Sequence, residues 1–394
     1  MTASLRLPSA EQPLLSVVMV TYGGWDWPYR SLEAVVDHTD AAFEAICVDN
    51  ASWDGTGDLL EELVDGATVV RNEENRGFAA AANDGARRAR GDWLCFLNPD
   101  CLVRPGWLDP LIRAIEADPR AGAAIPRFLS TDGTVQEAGS AVDRQGWTHA
   151  FGRGADPEDP EHRFPRYVDY GSAACLLMRR ETFLQMGGFE VAYYPAYCED
   201  VDLCYRLEER GLRTVFEPRS DVVHAGAAST DEIRRARLIE RNRRLLLERW
   251  GERLADRPAL VELDARPHRL FALRDVTALD RLLVVNDRVP APDHPLRVLL
   301  EVAARSRELR ITLLCAAGEP TDIEDLLFRG IEVVLTADPG PWLDRRRFHY
   351  SAVLVAEPPE QEALDVLLNR FQPQALRRTT AETAGQPIPE LLAS

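Results

Sequence analysis

Between Leu14 and Asp100, short apolar runs alternate with amphipathic stretches, and this alternation restricts the fold more than any other feature of the chain. The apolar runs read as strands and are SVVMVTY, FEAICVDNAS, TVVRNEEN and DWLCFLNPD. The stretches between them have helical spacing and are WPYRSLEAVVDH, GTGDLLEELV and GFAAAANDGARRAR. Strands with so little internal alternation are typical of a parallel sheet covered by helices on both faces. The sequence therefore predicts an α/β fold with a Rossmann-like, mostly parallel sheet.

Polar side chains follow the carboxyl end of each of these strands. They are Thr21 and Tyr22, Asp49 and Asn50, Asn72 and Asn75, and Asn98 and Asp100. In an open α/β sheet, ligands bind at the edge formed by the carboxyl ends of the strands. A single Asp at a strand end is a common turn residue. Four polar strand ends on one edge instead predict a binding site.

The alternation breaks between residues 125 and 170, where TDGTVQEAGSAVD predicts a hairpin. The stretch GRGADPEDPEHRFPRY is rich in Pro and charge, so we expect a mobile loop whose acidic run is a solvated surface. Further along, YGSAACLLMRR, TVFEP and DVVHAG predict strands, and EDVDLCYRLEERG predicts a helix that ends at Gly211. A long arginine-rich helix, DEIRRARLIERNRRLLLERWGERL, follows.

A second α/β unit begins after a Pro-containing connector, because the strand-helix alternation restarts at RLLVVND. This unit has no Gly-rich phosphate loop and no acidic pair at a strand end. The predicted organisation is a tail over 1–13, a first domain over 14–255, a linker over 256–280 and a second domain over 281–394.

Charge and cysteine content narrow the classes of function. A formal net charge of -18 argues against a nucleic-acid partner. Seven cysteines without any CxxC pair predict free thiols in a reducing cytosol. The segment MTASLRLPSAEQP lacks the apolar core of a signal peptide, and no apolar run approaches bilayer length. We expect a cytoplasmic protein, and peripheral contact with the inner face of the membrane is compatible with this composition.

An ordered set of segments resembles the inverting family-2 glycosyltransferases of the GT-A fold, most closely their rhamnosyltransferase-like branch. The set is SVVMVTY, VDNASWDGT, NEENRGFAAAANDG, FLNPDC, GSAACLLMRR, YCEDVDLC and VVHAG. It covers about residues 14 to 250. In the second domain, RLLVVNDRVPAPD and VLLNRFQPQA resemble the first part of a GT-B glycosyltransferase. A complete GT-B enzyme needs two such domains, so the resemblance implies a truncated or degenerate unit that serves packing.

The resemblance implies a divalent metal site formed by Asp100 and His224. Asp100 lies where the family has its acidic metal-binding motif, although Asn98 stands where many members have a first Asp. His224 matches a late histidine that completes the site. Oxygen ligands with substrate phosphates suit Mg²⁺ or Mn²⁺, and an imidazole favours Mn²⁺.

The resemblance also implies a nucleotide pocket. Asp49 matches the position that reads the nucleotide base, and Thr21 and Tyr22 match residues that line the same pocket. The expected surroundings of the nucleotide and its diphosphate include Asn98, Asn75, Arg76 and Asn83. For Arg76 a solvated loop position, and for Asn83 a helix-surface amide, are equally good interpretations.

The general base implied by the resemblance is Asp200, which would deprotonate the acceptor hydroxyl, with Glu199 positioning the acceptor or the base. A base on the face opposite the leaving group gives inversion. By their position alone, the two acids are also typical of a helix first turn. We expect Asp202 to cap the helix or to contact solvent.

Three arginines of the long helix, Arg241, Arg243 and Arg244, have two interpretations. The default is a solvated face. The alternative is contact with the diphosphate of the donor or of a lipid-linked acceptor, because guanidinium groups pair with phosphate.

The predicted function is transfer of a sugar, with rhamnose as a candidate, from a dTDP- or UDP-sugar to a hydroxyl of a polysaccharide, a lipid-linked glycan or another glycoconjugate. One alternative is a sugar nucleotidyltransferase. Such an enzyme would be expected to have a Gly-rich, basic first loop, and the segment TYGGWDWPYR fits that description poorly. Another is a catalytically silent nucleotide-sugar or glycan-binding scaffold. The missing first metal carboxylate favours the scaffold, while Asp100 and Asp200 argue against it. We expect the second domain to bind no sugar nucleotide and to serve packing or self-association into a homo-oligomer.

Overall fold

The computed structural model describes residues 4–8, 11–226, 232–265, 269–356 and 361–379. The chain divides into two compact units at Ala255 and Asp256. The first unit contains residues 1–142, 146–157 and 168–255, and the second contains residues 143–145, 158–167 and 256–394. Residues 158–167 and the predicted linker 256–280 therefore cluster with the second unit.

The elements up to Ala255 begin with a Rossmann-like succession. They are β1 (Leu5–Arg6), β2 (Leu15–Thr21), α1 (Asp26–His38), β3 (Phe43–Asp49), α2 (Thr56–Leu63), β4 (Val64–Asp65), β5 (Thr68–Arg71), α3 (Gly77–Arg88), β6 (Trp93–Leu97), β7 (Cys101–Val103), α4 (Leu108–Glu116) and β8 (Ala121–Leu129). The remaining elements are β9 (Val135–Glu137), β10 (Ser140–Val142), β11 (Thr148–Ala150), β12 (Arg166–Val168), β13 (Cys175–Arg179), α5 (Arg180–Gln185), α6 (Glu199–Glu209), β14 (Arg213–His224) and α7 (Glu232–Leu254). The four strands and three helices predicted between Leu14 and Asp100 are all present.

The main sheet is mostly parallel, as predicted. Its strand order is β12-β14-β8-β13-β6-β2-β3-β5, with β7 paired to β14 and β9 paired to β8. The pairs β2–β3, β2–β6 and β3–β5 are parallel. Strand β13 runs antiparallel to both β6 and β8, a reversal that the sequence did not reveal. Every residue of β3 and β6 is buried, which agrees with a sheet covered on both faces.

The predicted hairpin within TDGTVQEAGSAVD is wrong, since its two strands do not pair with each other. Strand β9 pairs antiparallel with β8, whereas β10 pairs antiparallel with β11. Gly139 has a φ of +76° between β9 and β10, and it turns the chain there. The segment therefore belongs to two hairpins, and the first folds back along β8.

The acidic run of the loop GRGADPEDPEHRFPRY is exposed or half-buried, which agrees with the expected solvated surface, but the end of the loop is not. His162, Phe164 and Arg166 within it are buried. Phe164 joins the apolar cluster formed by Leu282, Ile311 and other core residues of the second unit. Burial of this aromatic ring explains why residues 158–167 cluster with the second unit.

The second unit has the element alternation predicted for it. Its helices are α8 (Leu260–Ala265), α9 (Arg269–Arg274), α10 (Pro295–Ala303), α11 (Pro320–Phe328), α12 (Pro339–Arg345) and α13 (Gln361–Phe371). Its strands are β15 (Asp280–Val285), β16 (Leu309–Cys315), β17 (Ile331–Leu335), β18 (Ala352–Val355) and β19 (Leu376–Thr379). The sheet is parallel with the order β17-β16-β15-β18-β19, a doubly wound arrangement. Glu357 and Pro358, which follow β18 in the chain, lie outside the described residues.

Six side chains of the second unit form a buried charge network: Arg274, Asp275, Arg310, Glu332, Arg346 and His349. Glu332 accepts two hydrogen bonds of 2.7 Å from Arg346. Asp275 accepts from Arg274 at 2.7 Å and from Arg310 at 3.1 Å. Burial alone raises the pKa of a carboxyl, yet the arginines hold the pKa of both carboxyls below the usual range.

Two predictions about composition are met. All seven cysteines are free and buried. In the described part of the chain, none of the helices combines the length and apolar character needed to cross a membrane.

Candidate active site

The four strands with polar carboxyl ends lie side by side, in the order β5, β3, β2, β6. Thr21 is the register partner of Asp49, which is in turn the partner of Arg71. The predicted shared edge is therefore present, and strand register brings these side chains together.

Asp49 is the centre of a buried hydrogen-bonded cluster on this edge, which we call the Asp49 pocket, and only 1% of its surface is exposed. Its Oδ1 accepts hydrogen bonds from Thr21 Oγ1 at 3.2 Å and from the hydroxyl of Ser52. Its Oδ2 accepts from Arg71 Nε at 3.2 Å, and Arg71 also pairs with Asp58 at 2.7 Å. Sequence reasoning missed Ser52 and Arg71. Arg71 is the last residue of β5, so the criterion of polar strand ends could have found it.

Two aromatic rings stand beside this pocket. The rings of Tyr22 and Trp53 meet edge to face with their centroids 4.8 Å apart. Trp53 is 69% exposed, although a large aromatic ring is usually buried. Gly23 has a φ of +79°, and a Cβ there would lie 2.9 Å from the Trp53 ring. Glycine therefore allows the ring to pack against this strand end.

A network of amide side chains shapes the loop between β5 and α3. Asn50 Nδ2 donates to Asn75 Oδ1 at 2.9 Å, and Asn50 Oδ1 accepts from Asn72 Nδ2 at 2.9 Å. The same Asn50 oxygen accepts from the Arg76 backbone N–H at 3.0 Å. Asn75 Oδ1 also accepts from the N–H of Gly77, the first residue of α3. The asparagines therefore fix the backbone at the start of this helix.

Arg76 and Asn83 have different surroundings. The Arg76 guanidinium is partly exposed and pairs with Asp84. Asn83 is buried, donates to the carbonyl of Phe189 at 2.8 Å and accepts from its N–H at 2.8 Å. The Asn83 amide thus binds the backbone of Phe189, which lies 106 residues later in the chain.

Asp100 and His224 face each other on the same edge. His224 Nε2 lies 3.5 Å from Asp100 Oδ1. Gln136 Nε2 donates to the His224 carbonyl at 2.9 Å, while Gln136 Oε1 lies 2.7 Å from His224 Nδ1. Because this Gln136 oxygen can only accept, the proton of the neutral imidazole lies on Nδ1, and Nε2 of that tautomer presents a lone pair. Two acceptors that face each other in this way fit a shared cation.

Cys101 completes a cluster with Asp100 and His224 whose potential ligand atoms lie within 4.8 Å of one another. Burial, followed by the charge of Asp100, raises the pKa of its thiol well above the usual value. A thiol ligates as the thiolate, so Asp100 and His224 are the better ligands for a hard cation. Asn98 shapes the same turn through its backbone, with its N–H donating to the Ala174 carbonyl at 2.8 Å.

Glu199 and Asp200 begin α6, as predicted. Asp200 accepts from the N–H groups of Val201 at 2.8 Å and Ala173 at 3.3 Å, and burial raises its pKa above the usual value. Glu199 is 6% exposed, and its Oε2 has no hydrogen-bond partner among the described residues. Burial and the charge of Asp200 raise the pKa of Glu199 well above the usual value. A raised pKa makes the ionised carboxylate a stronger proton acceptor.

A third acid near this pair was missed by sequence reasoning. Burial raises the pKa of Glu137 to about 7, and the charge of Asp200 adds to this effect. Glu137 lies in β9, where the mistaken hairpin gave no reason to place it near α6.

Asp202 neither caps the helix nor contacts solvent, so that expectation is wrong. Asp202 is fully buried, pairs with Arg206 at 2.7 Å and accepts from Trp250 Nε1 at 3.0 Å. Helix α7 brings Trp250 against it, which the local sequence could not indicate.

The arginines of α7 contact protein groups. Arg243 and Arg244 pair with Glu240. Arg241 donates to the carbonyls of Ala192 and Tyr194, a contact that neither interpretation of this helix included.

Comparison with known proteins gives consistent results. The model of the family described as "Glycosyl transferase family 2" matches residues 16–182. The N-acetylglucosaminyl-diphospho-decaprenol L-rhamnosyltransferase of Mycobacterium tuberculosis is 32% identical over 239 residues, which cover 55% of this chain and 78% of that protein. The O-antigen biosynthesis protein RfbC of Myxococcus xanthus is 34% identical over 197 residues, but the match spans only 15% of it.

One solved structure shares the fold. The structure of GalNAc-T7 with UDP, GalNAc and Mn²⁺ superposes with a TM-score of 0.51 at 21% identity. The superposition covers 66% of this chain and about half, 52%, of that one.

Proposed function

Because the chain belongs to glycosyl transferase family 2, as the resemblance predicted, and is a glycosyltransferase of the GT-A fold, we propose that it transfers a sugar from a nucleoside diphosphate donor to an acceptor hydroxyl with inversion. The observation that carries this proposal is the pair of facing acceptors, Asp100 Oδ1 and His224 Nε2, 3.5 Å apart on the edge that holds the Asp49 pocket. A cation site beside a nucleotide pocket fits a diphosphate donor.

Rhamnose is the donor sugar that we propose, carried by dTDP or UDP. Support comes from the relative that is named as a rhamnosyltransferase. The name of that relative also specifies a diphospho-decaprenol carrier, so we propose a lipid-linked glycan as the acceptor. Such an acceptor fits a protein that works in the cytoplasm at the inner face of the membrane.

The Asp49 pocket is our proposed base-binding site. Its carboxylate is held by Thr21, Ser52 and Arg71 and can accept a hydrogen bond from a base N–H. The Tyr22 and Trp53 rings offer a face for stacking, a contact that tolerates any base. Asn75 and Arg76 lie beside this pocket, on the loop fixed by Asn50.

Asp100 and His224 fit a divalent ion, and we propose Mg²⁺ or Mn²⁺ there. When bound, such an ion stabilises as a Lewis acid the negative charge that develops on the departing diphosphate. The chain supplies one carboxylate oxygen and one imidazole nitrogen, and Gln136 holds the imidazole in the required tautomer. The amide of Asn98 stands where a second carboxylate is common in the family.

Asp200 is our proposed general base. Its raised pKa keeps it a competent proton acceptor, while Ala173 and Val201 fix its orientation. Deprotonation of the acceptor hydroxyl by Asp200 allows a single displacement at the sugar carbon. Glu199, with one unpaired oxygen, would bind an acceptor hydroxyl next to the base.

Gln136→Leu is expected to weaken Mn²⁺ binding by about 10- to 100-fold, because loss of a residue that orients a ligand typically has that effect. Leucine has a similar size but cannot accept the Nδ1 proton. Titration of the full-length protein with Mn²⁺, followed by electron paramagnetic resonance, measures the change. Gln136→Glu keeps an acceptor at this position and should retain most of the affinity. Equal affinity in the Leu variant and the wild type would contradict the proposed orientation of His224.

Nucleotide release from a panel of dTDP-, UDP- and GDP-sugars, with and without EDTA, tests the function itself. Release that EDTA abolishes supports a metal-dependent transferase. Binding without release in every case would favour a catalytically silent scaffold. Pyrophosphate-dependent formation of a sugar nucleotide would favour a nucleotidyltransferase.

The second unit is proposed to bind no sugar nucleotide and to serve packing or self-association. Its described strand ends, such as Asn286 with Asp287 and Ala337 with Asp338, lack the cation pair and the buried carboxylate pocket of the first unit. Calorimetry of the full-length protein should therefore find one nucleotide site per chain. Its resemblance to a GT-B half stays a prediction.

A further inference from the structure

The backbone that leads into Asp200 is held in an unusual conformation. Residues 192–198, which we call the tyrosine segment, end at Cys198, immediately before α6. Tyr197 and Cys198 have φ angles of +81° and +75°, in the left-handed region that residues with a Cβ rarely adopt. Such a conformation persists only where surrounding contacts impose it.

Asn242 of α7 supplies these contacts on one side of the tyrosine segment. Its side chain is fully buried, and Nδ2 lies 2.7 Å from the Tyr193 carbonyl oxygen, 2.8 Å from that of Ala196 and 3.0 Å from that of Tyr197. Neighbouring Arg241 donates to two more carbonyls of the segment. A single amide thus gathers three carbonyls just before the proposed base.

On its other side, the tyrosine segment contacts the loop of the nucleotide pocket. The Phe78 N–H donates to the Pro195 carbonyl at 2.6 Å, and Tyr194 Oη donates to the Asn75 carbonyl at 3.2 Å. The approach is so close that a Cβ on Gly77 would lie 2.8 Å from the Tyr194 ring. The segment therefore links the donor side of the site to the helix that carries Asp200.

We propose that Asn242 is a positioning residue that, through the tyrosine segment, fixes Asp200 relative to the donor loop. This inference rests on the proposed function. Asn242 touches neither donor nor acceptor in this scheme. Its role is to hold the proton acceptor at the distance and angle that an in-line displacement requires, where a shift of about 1 Å can cost 10²-fold in rate.

Asn242→Leu tests this proposal, because leucine has the same number and branching of side-chain heavy atoms and no N–H to donate. We expect the kcat of sugar transfer to fall by about 10²-fold. The affinity for UDP or dTDP, measured by calorimetry, should change little, since the Asp49 pocket makes no contact with Asn242. A role confined to overall stability would not produce this separation of kcat from nucleotide affinity.

Leu111→Ala is the control, because Leu111 is fully buried on α4 and lies outside the apolar cluster that contains Tyr193 and Cys198 of the tyrosine segment. Compared at temperatures equally far below their Tm, the control should keep its kcat and Asn242→Leu should not. If both variants lose activity in proportion to their Tm, the positioning role is refuted.

Arg241→Met and Tyr194→Phe keep the proposal testable if Asn242→Leu does not fold. Both residues are partly exposed, and each change removes one attachment of the tyrosine segment. Each should lower kcat, and Arg241→Met, which removes contacts to the tyrosine segment alone, should retain nucleotide affinity. Wild-type kcat in both variants would overturn the proposal. Absence of transfer by the wild type with every donor would instead count against the proposed function.

Discussion

Asp200→Asn is expected to reduce sugar transfer by about 10²- to 10⁴-fold, the usual contribution of a general base. Asparagine keeps the shape of the side chain, although its single acceptor oxygen can accept from only one of the Val201 and Ala173 N–H groups, which bond to different oxygens of Asp200. It cannot take the proton of the acceptor hydroxyl. Because the Asp49 pocket is unchanged, nucleotide affinity should survive, and calorimetry with UDP and dTDP measures it alongside transfer.

The pH dependence gives an independent check on this base. Burial raises the pKa of Asp200, so the base is protonated and inactive at low pH, and kcat rises as pH passes through that raised pKa. This rise of kcat with pH should occur above the pKa range of an ordinary Asp, and the Asp200→Asn variant should not show it. Glu209→Gln, at the exposed far end of the same helix, should keep the wild-type profile. Unchanged transfer by Asp200→Asn would move the base to Glu199 or elsewhere.

Asp100→Ala is expected to abolish metal-dependent turnover, a loss of about 10³-fold if the bound ion contributes several kcal/mol to the transition state. The Tm should change little, because a turn Asp after a strand contributes little to packing. His224→Ala should weaken metal dependence more mildly, since the carboxylate remains. Donor turnover measured against Mn²⁺ concentration separates the two variants.

A matched control is Asp109→Ala, which removes an exposed carboxylate from α4. It should show wild-type turnover and wild-type sensitivity to EDTA. If Asp100→Ala keeps wild-type activity in the presence of EDTA, the metal role assigned to Asp100 is wrong.

Local patterns predicted the part of the site that lies on the parallel strands. The alternation of strands and helices indicated that Thr21, Asp49 and Asp100 would share one edge, and the strand order agrees. That inference needed only the rule that parallel strands end on the same side of the sheet. The chemical roles predicted for these residues came from the segments that resemble a family.

The missed residues are those brought into the site by distant backbone. Gln136 reaches His224 across 88 residues, through a hairpin that the sequence placed incorrectly. Asn242 of α7 contacts the tyrosine segment, whose Tyr193 lies 49 residues earlier in the chain. Because Asn242 stands among arginines, the sequence interpretation of this helix considered only its charged residues. The burial of Asp202 likewise depends on Trp250. No periodicity within one element encodes such contacts.

Evolutionary drift in the second unit is constrained by its buried charge network. Replacing Glu332 alone removes the buried carboxylate that pairs with Arg346 and Arg274, at a cost of about 3–5 kcal/mol. Replacing the whole set with apolar residues of similar volume is often neutral or stabilising. Single substitutions within the network therefore destabilise the unit. An apolar core in its place would require several substitutions at the same time. Proteins that descend from this chain should therefore keep all six residues of the network together. The presence of the whole set should indicate common ancestry of the second unit better than the presence of any single member.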